Sequence, residues 1–405
     1  ITGEATNNGF GGALTIGDFN ADGKTDLAVG ANQYSTNTGR VYIFYNDGSI
    51  PTTATTADII ITGEVGNGAF GASLASGDWN ADGKTDLVVG ASQYIATYTG
   101  RVYIFYNDGS IPTTAATADI IITGETTNNS FGGSLASGDF NADGKTDLAV
   151  GAYGYGSNRG RVYMYTFNDG VITGETGSYF GDIVTSIAAA DMNSDGRTDL
   201  IVSADGYSTN TGRVYIFYND GSIPTTAATA DVIITGETTS NYFGATLTSG
   251  DFNADGRTDL AIAAYAYSTN TGRVYIFYND GSIPTTAATA DVIITGETTS
   301  NYFGRTFTSS DFNSDGKTDL VVGASGYSTS TGRAYIFYND GSIPTTAATA
   351  DVIITGETTN NYFGSALNSG DFNADGKTDL AVGAYGYSTN TGRAYIFITE
   401  AKVEE

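Results

Sequence analysis

Apolar and polar positions along this chain alternate in short bursts, with no stretch in helical register. In Arg273-Val-Tyr-Ile-Phe-Tyr278, Val274, Ile276 and Tyr278 fall on one side of an extended backbone, and Tyr275 and Phe277 on the other. Successive strand side chains point to opposite faces, and here both faces are apolar or aromatic, so both need cover. The surrounding sequence reads as three more strands: a Gly-punctuated strand A from Phe243 to Phe252, strand B at Leu260–Ala264, and strand D within Asp291–Glu297, with Arg273–Tyr278 as strand C. Asn, Gly, Ser and Thr fill the intervening turns, while β-branched and aromatic residues fill the segments, which argues against helix.

This unit recurs. The string Asp-x-Asn-x-Asp-Gly-x-Thr-Asp begins at Asp18, Asp78, Asp139, Asp191, Asp251, Asp311 and Asp371, with a period of about sixty residues that falls to about fifty between the third and fourth copies. The shortening has a visible cause. Most copies carry a segment such as Asp280–Asp291 between strands C and D, whereas the third runs Phe167-Asn-Asp-Gly170 straight into Val171–Glu175, a tight hairpin signature. Seven four-stranded antiparallel units with two apolar faces each predict an all-β fold, a seven-bladed β-propeller, because radial stacking covers both faces of every sheet. The chain opens with Ile1-Thr-Gly-Glu4, a piece of strand D, and ends on strand C at Arg393–Phe397. The opening strand is therefore expected to complete the last blade and close the ring. Residues 1–399 are expected to form one propeller, with 400–405 a frayed tail.

The acidic string has the chemistry of a cation loop. Side-chain oxygens at positions one, three, five and nine and a main-chain carbonyl at seven can surround one hard ion, and Gly at six permits the turn. The expected ligands are Asp18, Asn20, Asp22, Lys24 and Asp26 in the first copy, then Asp78, Asn80, Asp82, Lys84 and Asp86, and Asp139, Asn141, Asp143, Lys145 and Asp147. The fourth and fifth copies supply Asp191, Asn193, Asp195, Arg197 and Asp199, and Asp251, Asn253, Asp255, Arg257 and Asp259. The last two supply Asp311, Asn313, Asp315, Lys317 and Asp319, and Asp371, Asn373, Asp375, Lys377 and Asp379. The Lys and Arg positions contribute carbonyls only. Oxygen-only donors select calcium, up to seven ions, one per blade. These are not EF-hands: position twelve is Val29 in the first copy, and a strand follows.

Composition narrows the partners. With 17 Lys+Arg against 44 Asp+Glu, the formal charge is -27, which opposes nucleic acid and anionic lipid. Seven divalent ions, adding fourteen positive charges, would bring -27 to -13. There is no Cys and no His, which removes disulfides, thiolate metal sites and the commonest general base. No apolar run approaches the roughly 18 residues of a membrane span. Ile1 opens the chain without a signal-peptide pattern, so a removed leader or a longer parent polypeptide is expected. Calcium loops of extracellular modules are weak, about 10⁻⁴–10⁻³ M, which places the protein outside the cell or at its surface.

Phe-Gly opens each unit at Phe10, Phe70, Phe131, Phe180, Phe243, Phe303 and Phe363, the acidic loop follows, and then Gly-Ala, as at Gly30-Ala31 and Gly383-Ala384. This resembles the FG-GAP repeat of integrin α-chain heads and related bacterial surface proteins. The resemblance implies a seven-bladed propeller with calcium in the A–B hairpins and ligands on the opposite face. The sequence departs from it in three ways. The Pro of the motif is replaced by Asn32, Ser92, Tyr153 and similar residues, the fourth and fifth copies read Ser203-Ala204 and Ala263-Ala264, and all seven loops are intact, whereas integrins fill only some.

In such a blade the A–B and C–D loops share one face, and the B–C and D–A loops the other. The second face repeats Tyr with Asn, Ser and Thr, and Tyr207, Tyr242, Tyr267, Tyr302, Tyr327, Tyr362 and Tyr387 are the candidate ligand-binding residues. Rigid aromatic area beside small polar groups suits recognition; the same residues also suit turns packed on their own blade. The recurrent Arg (Arg40, Arg101, Arg161, Arg213, Arg273, Arg333 and Arg393) is expected to anchor an internal acid, and Trp79, where other copies carry mostly Phe, to be structural. No polar constellation is expected to break the repetition, so a non-catalytic recognition or adhesion module with an extracellular protein or glycan ligand is the first expectation. A multivalent lectin and a surface-layer or filament subunit are the alternatives. Monomer and self-assembling polymer both remain open.

Overall fold

The computed structural model describes residues 1–165, 170–182, 186–221 and 223–399. Phe167–Asp169 of the expected hairpin turn and the expected tail from 400 lie outside them. Seven antiparallel sheets follow one another in chain order, six with four strands and the last with three. In the fifth blade strands A to D are Phe243–Gly250, Asp259–Ala264, Arg273–Phe277 and Val292–Thr295, each paired with the next. Strand B is buried at every position in six blades and along its five-residue length in the third, as two covered faces require.

The seventh sheet is completed by the N-terminus. Thr2 bridges Arg393 in antiparallel sense, and Ala394 exchanges main-chain hydrogen bonds with Ile1 at 2.6 and 2.9 Å. Arg393 and Thr2 thus stand in the register of Arg40 and Thr62 in the first blade. The ring closes as the pattern of the termini predicts.

The Phe-Gly motif locks neighbouring blades together. Six of the seven Phe residues make a parallel bridge to the Gly that precedes strand C of the previous blade, as Phe70 does to Gly39, and each ring sits edge-on to two strand C aromatics of its own blade, as Phe70 does to Tyr103 and Phe105. Gly39 is required because its φ is +83° and a Cβ would overlap the Phe70 main chain.

The long C–D segment is not a free loop. In five blades its Thr bridges the end of the preceding blade's strand D. In the fifth blade Ile283 and Ala287 then drop into the groove beside Met192, Ile216 and Ile234. In the third blade strand C, Arg161–Tyr165, pairs with strand D, Gly170–Thr173, without that segment, Met164 facing Gly170.

Strands A line a central channel of about 320 Å³ to which all seven blades contribute. Among the described residues no helix is long and apolar enough to cross a membrane.

Candidate functional site

The acidic loops are closed by their own hydrogen bonds. In the first, Asp18 accepts the N–H groups of Asp22 and Gly23 at 3.0 and 2.8 Å, Asn20 also accepts that of Asp22 at 3.0 Å, and Asp22 accepts that of Lys24 at 2.9 Å. Gly23 at position six has φ +84°. The same bonds recur in the other copies, for example at Asp371, Asn373 and Asp375. The ninth-position carboxylate is different. Asp26 is fully buried, and its two oxygens accept the N–H groups of Phe19 and Asn46 at 2.8 and 2.7 Å. It thereby ties the acidic loop to the C–D connection. Burial, reinforced by the charges of Asp22 and Asp18, raises its carboxyl to about 6; Asp147, Asp259 and Asp319 behave alike. Among the described residues no three acidic side chains are gathered closely enough to hold a metal ion by themselves.

On the opposite face a second motif repeats. Each strand C Arg pairs with the Glu that follows the preceding strand D, at 2.6–3.0 Å. Its guanidinium also lies 3.6–3.8 Å from the ring centre of the B–C loop tyrosine. Tyr207, Tyr267, Tyr327 and Tyr387 are therefore stacked under Arg213, Arg273, Arg333 and Arg393. In four blades the strand C tyrosine donates to the same Glu, as Tyr42 does to Glu4 at 2.8 Å. The expected anchoring of an internal acid by Arg is what the geometry holds.

Tyr242, Tyr302 and Tyr362 go elsewhere. Tyr242 stacks on Tyr265 at 5.4 Å, Tyr302 lies 6.1 Å from the same ring, and Tyr362 stacks on Tyr385 at 4.8 Å. Tyr265 and Tyr385 line a cavity of about 330 Å³ together with Asp182, Asp205 and Arg305. Its walls come from five blades, and it shares Gly12, Thr306 and Ser365 with the channel, so it is the channel mouth. Asp205 is only 8% exposed. Burial first, then the charge of Asp182 and a hydrogen bond from it, pushes its carboxyl well above the usual range. Burial and the Asp205 charge raise the Tyr265 phenol to about 12, and the Arg305 guanidinium lies 5.5 Å from that ring's centre.

The mouth corrects the expectation that nothing breaks the repetition. Its diverging residues occupy two positions, the one after Phe-Gly and the one after Gly-Ala. From the first blade to the seventh the pairs are Gly12/Asn32, Ala72/Ser92, Gly133/Tyr153, Asp182/Asp205, Ala245/Tyr265, Arg305/Ser325 and Ser365/Tyr385. No two blades carry the same pair. The signal was present in the sequence as the place where the motif's Pro is missing.

The family described as "FG-GAP repeat" matches residues 10–44, 70–105, 131–165, 184–217, 243–277, 303–337 and 363–397. Among curated proteins, the phosphatidylinositol-glycan-specific phospholipase D of Bos taurus is 35% identical over 173 residues, covering 38% of this chain and 20% of that protein. Integrin alpha-5 of Xenopus laevis is 30% identical over 220 residues, 49% of this chain and 20% of its own length. Integrin alpha-IIb of Homo sapiens is 31% identical over 226 residues, 51% and 21% respectively. The match thus spans about a fifth of each relative.

Proposed function

Because the chain belongs to the FG-GAP repeat family, we propose that it is a calcium-binding, non-catalytic recognition module of the extracellular space that receives its ligand on the face opposite the acidic loops. The channel mouth is the observation that carries this reading. On that face, five otherwise uniform units diverge and combine a close acid pair, a guanidinium and flat tyrosine rings in one cavity. Such a mixture of convergent polar groups and aromatic walls is what ligand cavities have.

The donor chemistry of the acidic loops fits calcium. Asp18, Asn20 and Asp22 present oxygen only, each already turned toward the loop's own N–H groups, and a carboxylate keeps further lone pairs for a cation. The Lys24 carbonyl would add a fourth donor. A bound ion would supply the positive charge that these clustered carboxylates lack. Asp26 holds the loop in place through Phe19 and Asn46, so metal and the C–D connection act on one hinge. Weak loops of this type need millimolar calcium, which favours an extracellular setting. The acid pair argues against one reaction class, glycoside hydrolysis. Carboxyls bonded to each other lie far closer than the roughly 5 Å or more that glycoside hydrolysis needs.

A glycan ligand is the sharper version. Tyr265 and Tyr385 offer flat faces for a pyranose, and Asp182, Asp205 and Arg305 offer both acceptors and donors. The test is a glycan-array screen in millimolar calcium, repeated with chelator and with Arg305→Ala. Hits that vanish in the variant place a sugar at the mouth. Hits indifferent to it sink that placement, and a blank array assigns the face to a protein ligand.

A further inference from the structure

Five inter-blade grooves are closed by the long C–D segment of the following blade. Between the first and second blades, Ile111 and Ala115 lie among Phe19, Ile43, Ile61, Ile59 and Tyr45, and the Thr62 N–H donates to the Thr113 carbonyl at 3.1 Å. One repeat further on, the counterparts of those five residues are Trp79, Ile104, Ile122, Ile120 and Tyr106. They line an open cleft of about 470 Å³ against the third blade, whose shortened repeat has no segment to lay over them. Strand D of the second blade is accordingly bare, with Ile120 and Ile121 37% and 38% exposed. Among the described residues Thr123 makes no bridge of the kind that Thr62 makes, and the Trp79 indole N–H finds no acceptor.

We propose that this cleft is a docking site for an extended segment of a partner polypeptide carrying an Ile-Pro-Thr-Thr-Ala pattern, added beside Thr123 as the C–D segments are added at the five closed grooves. The chemistry of the occupant is given by those five seated copies. Their Ile fills the hydrophobic floor, Pro keeps the backbone extended without an unpaired N–H, and a Thr carbonyl accepts the strand's N–H. Ala54, Ala115, Ala227, Ala287 and Ala347 are all fully buried, so that position admits only a small side chain. The mode is addition of a strand to a sheet edge, in which main-chain bonds give affinity and side-chain pockets give specificity. A second copy of this chain has no such segment to spare, since each of its own is already seated.

The test adds the labelled peptide Gly-Ser-Ile-Pro-Thr-Thr-Ala-Ala-Thr-Ala-Asp, the sequence of residues 281–291, to the full chain in calcium buffer. Binding is read by anisotropy and by emission of Trp79, the chain's single tryptophan. Saturable binding with a blue shift is expected, and replacing the peptide's Ile by Asp should weaken it roughly tenfold or more. Two variants complete the test. Grafting residues 279–292 in place of 167–170, which keeps the strand C–D register, should shift Trp79 without peptide and abolish the peptide-induced blue shift. Ile120→Glu, at an exposed position, should weaken binding about tenfold with an unchanged melting curve. No binding to the unaltered chain, or equal binding to it and both variants, overturns the proposal. So does a dimer that the graft converts to a monomer, because the cleft would then belong to a second copy.

Discussion

The two faces of the disc obey different rules. On the acidic face seven loops repeat one set of hydrogen bonds, and among the described residues Asp26 and five of its counterparts also tie their loops to the chain after strand C. At the channel mouth on the other face the five blades that wall it bring different residues, and among the described residues only there do an acid pair and an unrepeated arginine meet. Uniformity marks what every blade needs in order to hold its shape. Divergence marks what the ring as a whole presents, because a site on the axis is seen once and each blade supplies a different wall of it.

Perturbing the two faces in turn should expose that division. The largest effect is expected from chelation: stripping calcium from loops that each gather like charges should lower Tm by roughly 10 °C or more, read by differential scanning calorimetry. An unchanged curve would place no calcium in the fold.

A smaller effect, at the mouth, is expected from Asp205→Asn. Burial and Asp182 raise the Asp205 carboxyl above its ordinary 3.8, so the folded state holds a proton that the unfolded state releases. That stabilisation is complete below about pH 3.8 and is lost as pH rises through the raised value. The Asn variant should therefore melt higher than the parent by roughly 2–4 °C at pH 8, with the gap closing toward pH 4. A gap constant with pH would show that Asp205 is ionised throughout. The smallest change in stability belongs to Arg305→Ala, within about 0.5 kcal/mol by urea denaturation. A large loss there would make Arg305 part of the fold and erase the contrast between the faces.

Blade architecture was readable because it is local. Alternation in Arg273–Tyr278, the recurrence of the acidic string and the split strand at Ile1–Glu4 each lie within a few residues. The Glu4–Arg40–Tyr42 cluster was half readable: a recurrent Arg implies an acid, but which acid depends on how neighbouring blades stack. The mouth was missed because Asp182, Asp205, Arg305 and Tyr385 are scattered over four blades' worth of chain and meet only after the ring has formed. The third repeat's shortening was read correctly as a direct C–D connection. What it uncovers on the second blade was not, since nothing in a repeat's own pattern says that its long segment lies over its neighbour.

The seam at Ile1–Glu4 has a kinetic consequence. Its main-chain bond to Ala394 joins residues 393 positions apart, and Asn368 donates to Leu14 across 354 where the seventh blade meets the first, whereas between other blades the described side-chain hydrogen bonds reach no further than 88. Blades can therefore condense one after another like links in a linear array, with little loop entropy lost at each step. The ends meet only after that, and they carry the full closure cost at once. The last event in folding is then the fastening of a single clasp. Its release is the expected first event in unfolding, with Ile1–Glu4 and the contacts of residues 7–10 leaving the seventh blade together.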